Sequence, residues 1–199
     1  EWDKVAGRFE EILFNQPLEQ TAYLVANALN IRRDRLPWGT KGRLEGEMSK
    51  AVGLGWYGVD AIKQRLVSIA PEIFPLHPTV IPVLVKLFSR FGQNERSLYS
   101  FLLSNEPFAL QAFAQQPTRA DSFYRLHHLY DYARAAFGHR LVLQTFRSHW
   151  NQIESVVESF PRDLTEELQI LKSVAILNLI DSPQLLASED AIAIAIDSS

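Results

Sequence analysis

The chain has 199 residues, 47% of them apolar, no cysteine, and 20 Lys+Arg against 23 Asp+Glu for a net charge of −3. That is enough apolar material for one substantial core, and the missing thiols exclude disulfides, cysteine nucleophiles and cysteine-based zinc sites. The mildly acidic balance argues against binding of phosphate backbones by the whole surface, and no apolar run approaches the ~20 residues that cross a bilayer, so the expectation is a cytoplasmic protein with no membrane partner.

Near the start stands Gly7-Arg8-Phe9-Glu10-Glu11-Ile12-Leu13-Phe14, an arginine at the edge of an apolar stretch. Residues 9–14 read as a short strand, which must pair with another to satisfy its backbone. The rest of the chain offers no partner strand. Residues 1–16 are therefore expected to close a larger core whose sheet lies upstream in a longer protein; the competing reading extends a helix through 9–14.

From Pro17 the periodicity is helical. Pro17 suits a first turn, Glu19 complements the positive helix end, and Tyr23, Leu24, Asn27 and Ala28 recur at the spacing of one buried face, with an end near Asn30. Pro37, Gly39, Gly42, Gly46, Gly53, Gly55 and Gly58 then predict irregular backbone over 31–58, with only 44–52 continuous. Between Ile31 and Arg65 there are eight Lys/Arg against four Asp/Glu. Arg32, Arg33, Arg35, Lys41 and Arg43 are thus candidate contacts to nucleic acid; the plainer reading is solvated loop charge.

A helix is expected over 59–69, and Pro71, Pro75 and Pro78 force extended backbone before the next one. There Val80, Leu84, Leu87, Phe88 and Phe91 share a stripe, Pro82 is tolerable only in the first turn, and Gly92 stops the helix as a C-terminal cap. Asn94 can cap the following helix, whose apolar face is Leu98, Phe101 and Leu102. Arg96 falls in its first turn, where a cation opposes the helix dipole; that placement points to an anion nearby.

Further helices are expected over 106–115, 120–137 closed by Gly138, 141–160 closed by Pro161, and 164–180. Trp150, Phe146 and Phe160 share one stripe and read as core. Ser188-Glu189-Asp190 caps a last segment through Ile196, whose isoleucines also alternate as in a strand. From Trp150 onward two Lys/Arg face nine Asp/Glu, which disfavours nucleic acid there. His127 and Asp131 have the one-turn spacing of metal ligands, but two ligands without a third read as a polar helix face. His77, between prolines, reads as a local hydrogen-bonding residue.

The predicted fold is mostly α, a multi-helix bundle with one short strand near the start. Its expected parts are 1–16 as a core's strand-like end, 17–74 as a first helical part with a glycine-rich segment, and 75–199 as a helical bundle. Arg8 and Arg96 are the candidate functional residues, because a guanidinium fork held at an element boundary suits phosphate recognition.

The run from Gly7 to Phe14, then Pro17-Leu18-Glu19-Gln20 and a helix, resembles the stretch closing the nucleotide-binding core of AAA-plus ATPases of the initiator, clamp-loader and branch-migration classes. Gly92-Gln93-Asn94-Glu95-Arg96-Ser97-Leu98 resembles their helical-lid motif. The wider run from His77-Pro78 to Glu106-Pro107-Phe108 resembles large bacterial ATP-binding proteins. The resemblance implies Arg8 as an arginine finger reaching a neighbouring subunit's nucleotide, hence a homo-oligomer, and Arg96 as a sensor arginine on bound ATP. No Gly-x-x-x-x-Gly-Lys-Ser/Thr loop and no apolar strand ending in Asp-Glu occurs in the chain, so ATP and magnesium would be held by an upstream core of the same polypeptide. The chain itself is expected to be non-catalytic. The alternative expectation is a freestanding all-helical interaction module without nucleotide chemistry.

Overall fold

The computed structural model describes residues 17–92, 95–117, 119, 121–143 and 147–196, and for Glu95, Arg96, Arg140, Val142 and Leu143 the backbone alone. These form a multi-helix bundle: α1 Leu18–Leu29, α2 Thr40–Gly53, α3 Lys63–Ile69, α4 Val80–Phe91, α5 Glu95–Leu103, α6 Leu110–Ala114, α7 Leu126–Leu143, α8 Arg147–Ser159, α9 Thr165–Ile180 and α10 Glu189–Ile196. Two 3₁₀ turns, Arg33–Arg35 and Ala70–Ile73, complete the regular structure among the described residues. The expected strand at 9–14 and the expected cap at Asn94 lie outside them. No helix among the described residues is long and apolar enough to cross a membrane.

Helix α4 is the hub. Val80, Ile81, Pro82, Val83, Leu84, Leu87, Phe88 and Phe91 are all buried, because α1, α5, α7 and α9 pack around it. The predicted stripe is present, and Pro82 sits in the first turn, where its missing N–H has no partner to lose. Phe88 presents its ring to Phe101, Tyr132 and Phe137 edge-on, with centroids 6.2, 6.3 and 6.2 Å away. Each such pair contributes roughly 0.5–1.5 kcal/mol beyond burial, tying α4 to α5 and α7. Around this hub, α7, α8 and α9 pack on one another, α1–α3 gather about the Ala70–Ile73 turn, and α10 packs on α9 and reaches α2.

Several boundaries differ from expectation, each for a physical reason. Helix α1 buries Thr21, Ala22, Val25 and Ala26, while Tyr23 and Asn27 face solvent; the small Ala22 and Ala26 let it lie against the Ala70–Ile73 turn. Helix α2 begins at Thr40 and runs through Gly42 and Gly46, so the irregular segment is shorter than its glycines imply. Leu44, Glu47, Met48 and Ala51 bury one face, outweighing the ~1 kcal/mol each glycine costs a helix. Gly55 and Gly58, at φ 77° and 92°, keep the chain in turns, and α3 starts only at Lys63. Left-handed Phe108 (φ 62°) precedes α6, reducing the expected helix over 106–115 to a short one.

Helix α7 starts late because residues before it are extended: His77 N–H donates to Tyr124 O at 3.0 Å and Tyr124 N–H to Pro75 O at 2.8 Å, an isolated parallel bridge. It does not close at Gly138, where the nearest atom to a Cβ would be Cζ2 of Trp150 at 4.0 Å; the glycine faces the neighbouring helix. The last segment is a helix, with Ala191, Ile192 and Ala195 buried and Ser188 Oγ accepting from Ala191 N–H at 3.3 Å.

Candidate functional site

The turn from α4 to α5 carries the predicted sensor residue. Gly92 N–H donates to Phe88 O at 2.9 Å, closing α4, and its backbone is extended, not left-handed (φ −88°, ψ 179°). The glycine is needed for space: a Cβ there would lie 2.8 Å from Phe88 O, 3.0 Å from Phe88 Cα and 3.0 Å from Ser97 Oγ. Helix α5 opens at Glu95, so the Arg96 backbone lies in its first turn. The Arg96 side chain and the whole of Arg8 lie outside the described residues, so their spatial relation is not part of the geometry.

Other arginines cap helix ends. On α4, Arg90 donates Nη1 to Ile180 O at the end of α9 and lies over the Phe91 ring, 5.7 Å from its centroid. Arg125 donates Nη1 to Ala195 O at 3.0 Å, at the end of α10, and lies 5.5 Å over the Phe123 ring. Both put positive charge at the negative helix end. Sequence reasoning missed them because their acceptors are 90 and 70 residues away.

The basic segment running from the end of α1 into the start of α2 lies largely at the surface. Arg32 pairs with Asp34 at 2.8 Å and Lys41 approaches Glu45 at 3.9 Å, while Arg33 bridges to the Glu72 carboxylate and to Ser68 O at 3.1 Å. Arg43 is half-buried, and Arg35 is exposed. Between Arg35 and Lys41 stands Trp38, 96% exposed.

Inside the core, Thr79, His77 and Glu47 form a hydroxyl–imidazole–carboxylate series. Thr79 Oγ1 lies 2.8 Å from His77 Nδ1, Thr79 N–H also points at Nδ1 at 3.4 Å, and His77 Nε2 is 3.5 Å from Glu47 Oε2. Donation to Nδ1 assigns the neutral tautomer with its proton on Nε2, facing the carboxylate. Burial lowers the His77 pKa to about 4 against the opposing pull of Glu47. Burial alone would raise Glu47, but the contacts with His77 and Lys50 hold it below the usual carboxylate range. Thr79 and His77 have no exposed surface. The series ties the start of α4 to α2 inside the core, and the contact between His77 and Thr79 is a local hydrogen bond of the kind expected of His77.

A cavity of about 410 Å³ opens beside the start of α7, lined in part by Phe74, Phe113, Phe123, Arg125, His127 and His128. His128 Nδ1 accepts from Arg125 N–H at 3.0 Å, and the His127 and His128 rings lie tilted at 39° with centroids 3.9 Å apart. Burial, then the neighbouring positive charges, lower His127 to about 2 and His128 to about 4, so both are neutral at pH 7. Asp131 accepts from Lys172 at 2.8 Å, and among the described residues no three His, Asp or Glu side chains gather as a metal site. The chain matches no protein-family model, no curated protein and no solved structure.

Proposed function

We propose that this chain is the helical lid portion of an ATP-dependent P-loop machine of the AAA-plus type, non-catalytic by itself. The observation that carries the reading is the α4–α5 turn: Gly92 has no room for a side chain, and the helix after it places Arg96 in its first turn. In that role Arg96 senses the terminal phosphates of ATP held by an upstream core in the cytoplasm, and Arg8 reaches the nucleotide of a neighbouring subunit in a homo-oligomer. Both act by stabilising charge on the transferring phosphoryl group; a finger in this role contributes on the order of 10³-fold in rate. ATP and magnesium belong to the parent protein.

The test is ATP turnover by the parent polypeptide carrying Arg96→Ala or Arg8→Ala. Loss of turnover with an unchanged thermal melt supports the assignment. A coding sequence without an upstream phosphate-binding loop, or variants that hydrolyse ATP at the parental rate, overturns it. A freestanding interaction module is the second reading, favoured by the 98% exposure of Val59 beside a groove of about 820 Å³; it requires stable partner capture without any nucleotide dependence.

A further inference from the structure

We propose that the turn at Trp38, with Arg35 and Lys41 on either side, is a binding site for single-stranded nucleic acid. The inference stands apart from the nucleotide reading and uses none of its residues.

The turn is built to hold an aromatic ring in water. Arg33 roots the preceding 3₁₀ turn through Glu72 and Ser68 O. Leu36 packs against the core, Pro37 restricts its own φ, and Thr40, fully buried, donates its N–H to Pro37 O at 3.1 Å. Gly39 takes the left-handed conformation, φ 84°, that lets the chain reverse into α2. Residues on both sides of Trp38 are thus anchored, while the indole itself is 96% exposed. The anchored backbone thus presents the Trp38 indole to solvent with both ring faces open to a ligand, and it is the basic residues around it in sequence that mark the turn as a binding feature.

The surrounding charge selects the ligand. Residues 31–43 hold five Lys/Arg and one Asp, in a chain whose net charge is −3. Arg35 is exposed and makes no ion pair among the described residues. Among the described residues, Arg32 and Lys41 pair with neighbours in sequence, at the surface, where such pairs exchange readily for phosphate contacts. An exposed aromatic ring with cations three residues to either side of it in sequence complements a base joined to phosphates. A duplex hides its base faces by stacking, so the indole can be used only by an unpaired base. A membrane surface fits less well: Trp38 stands alone on a turn, with no amphipathic helix to lie in the headgroup layer, since α2 buries its apolar face in the core.

The experiment uses the full chain and a fluorescein-labelled twelve-nucleotide oligo(dT), read by anisotropy between 50 and 200 mM salt, with a labelled duplex of the same length and anionic phospholipid vesicles in parallel. Oligo(dT) should bind, more tightly than the duplex, with a salt slope of about two to three released ions. Trp38→Ala should weaken binding roughly 5- to 150-fold, as loss of one stacked base does, and leave the salt slope unchanged. Trp38→Phe should retain most of the affinity. Arg35→Ala should reduce the salt slope by about 0.7. Because both side chains are exposed, these variants should melt with the parent chain. Absence of oligo(dT) binding, equal binding of the duplex, an unchanged affinity in Trp38→Ala, a lowered melting temperature in that variant, or Trp38-dependent binding confined to vesicles would each overturn the proposal.

Discussion

His77 Nε2 lies 3.5 Å from Glu47 Oε2, and each atom is sealed in the core without a hydrogen-bonding partner among the described residues. The distance is too long for a hydrogen bond, so the pair is held by charge against dipole, with His77 neutral and Glu47 ionised. Acid therefore acts on the fold here. In the unfolded chain the imidazole takes a proton near pH 6.5, whereas in the core it resists until about 4. The unfolded state binds protons first, so stability is full above pH 6.5 and declines as pH falls towards 4.

His127 and His128 add to the decline in the same sense, since burial lowers both, and Glu47 adds more below its usual titration range. The expected result is a melting temperature flat above pH 7 and falling steadily between pH 6.5 and 4. For His77 alone the loss is up to roughly 3 kcal/mol. His77→Asn should show a shallower decline from a lower plateau. A melting curve indifferent to pH over that interval would remove the neutral-histidine assignment.

At the α4–α5 turn the backbone leaves no space beside Gly92. Its φ of −88° suits any residue, so Gly92→Ala isolates the steric effect, a Cβ 2.8 Å from Phe88 O. The expected cost is about 1–3 kcal/mol by chemical denaturation. Gly46→Ala is the control: nothing lies within 4 Å of a Cβ there in the middle of α2, and the gain should be about 0.5–1 kcal/mol. If Gly92→Ala is as stable as the parent, the close approach to Phe88 and Ser97 does not require glycine there.

How far the fold was legible depended on whether burial or local propensity set each boundary. The α4 stripe from Val80 to Phe91 was readable because period and burial agree. Gly46 and Gly138 misled because glycine's penalty of ~1 kcal/mol is small beside a buried helical face. Helix α1 was displaced onto Ala22 and Ala26 because small residues, weak hydrophobic signals in sequence, permit close approach. Of the candidate site, the first-turn position of Arg96 on α5 was readable, whereas Trp38 carried no signal: exposure of a tryptophan inside an irregular basic segment is set by the fold of the turn and not by any local pattern. The helix-capping roles of Arg90 and Arg125 depend on tertiary contacts that no local pattern encodes.

Tyr57 provides a sharper probe of core polarity. Its hydroxyl donates to Pro78 O at 2.7 Å from a buried position, and burial pushes its pKa well above the ordinary tyrosine range. Tyr57→Phe leaves the carbonyl of Pro78 without that donor and should cost about 1–3 kcal/mol. Equilibrium unfolding in urea reads this directly. A loss below about 0.3 kcal/mol would mean that water replaces the hydroxyl.

Two ion pairs of equal length should differ in worth. Lys172 Nζ and Asp131 Oδ2 are 2.8 Å apart with 17% and 26% of their side chains exposed, whereas Arg32 and Asp34, also 2.8 Å apart, are 61% and 65% exposed. The first pair joins α9 to α7 across 41 residues; the second joins near neighbours that water can separate freely. Partial desolvation strengthens the attraction between Lys172 and Asp131, and neighbouring packing already fixes both stems, so little further entropy is lost. A double-mutant cycle to alanine should therefore return a coupling of about 1 kcal/mol for Lys172–Asp131 and under about 0.3 kcal/mol for Arg32–Asp34. Raising salt to 1 M should abolish the smaller coupling and leave most of the larger. Equal couplings would show that exposure does not rank these pairs.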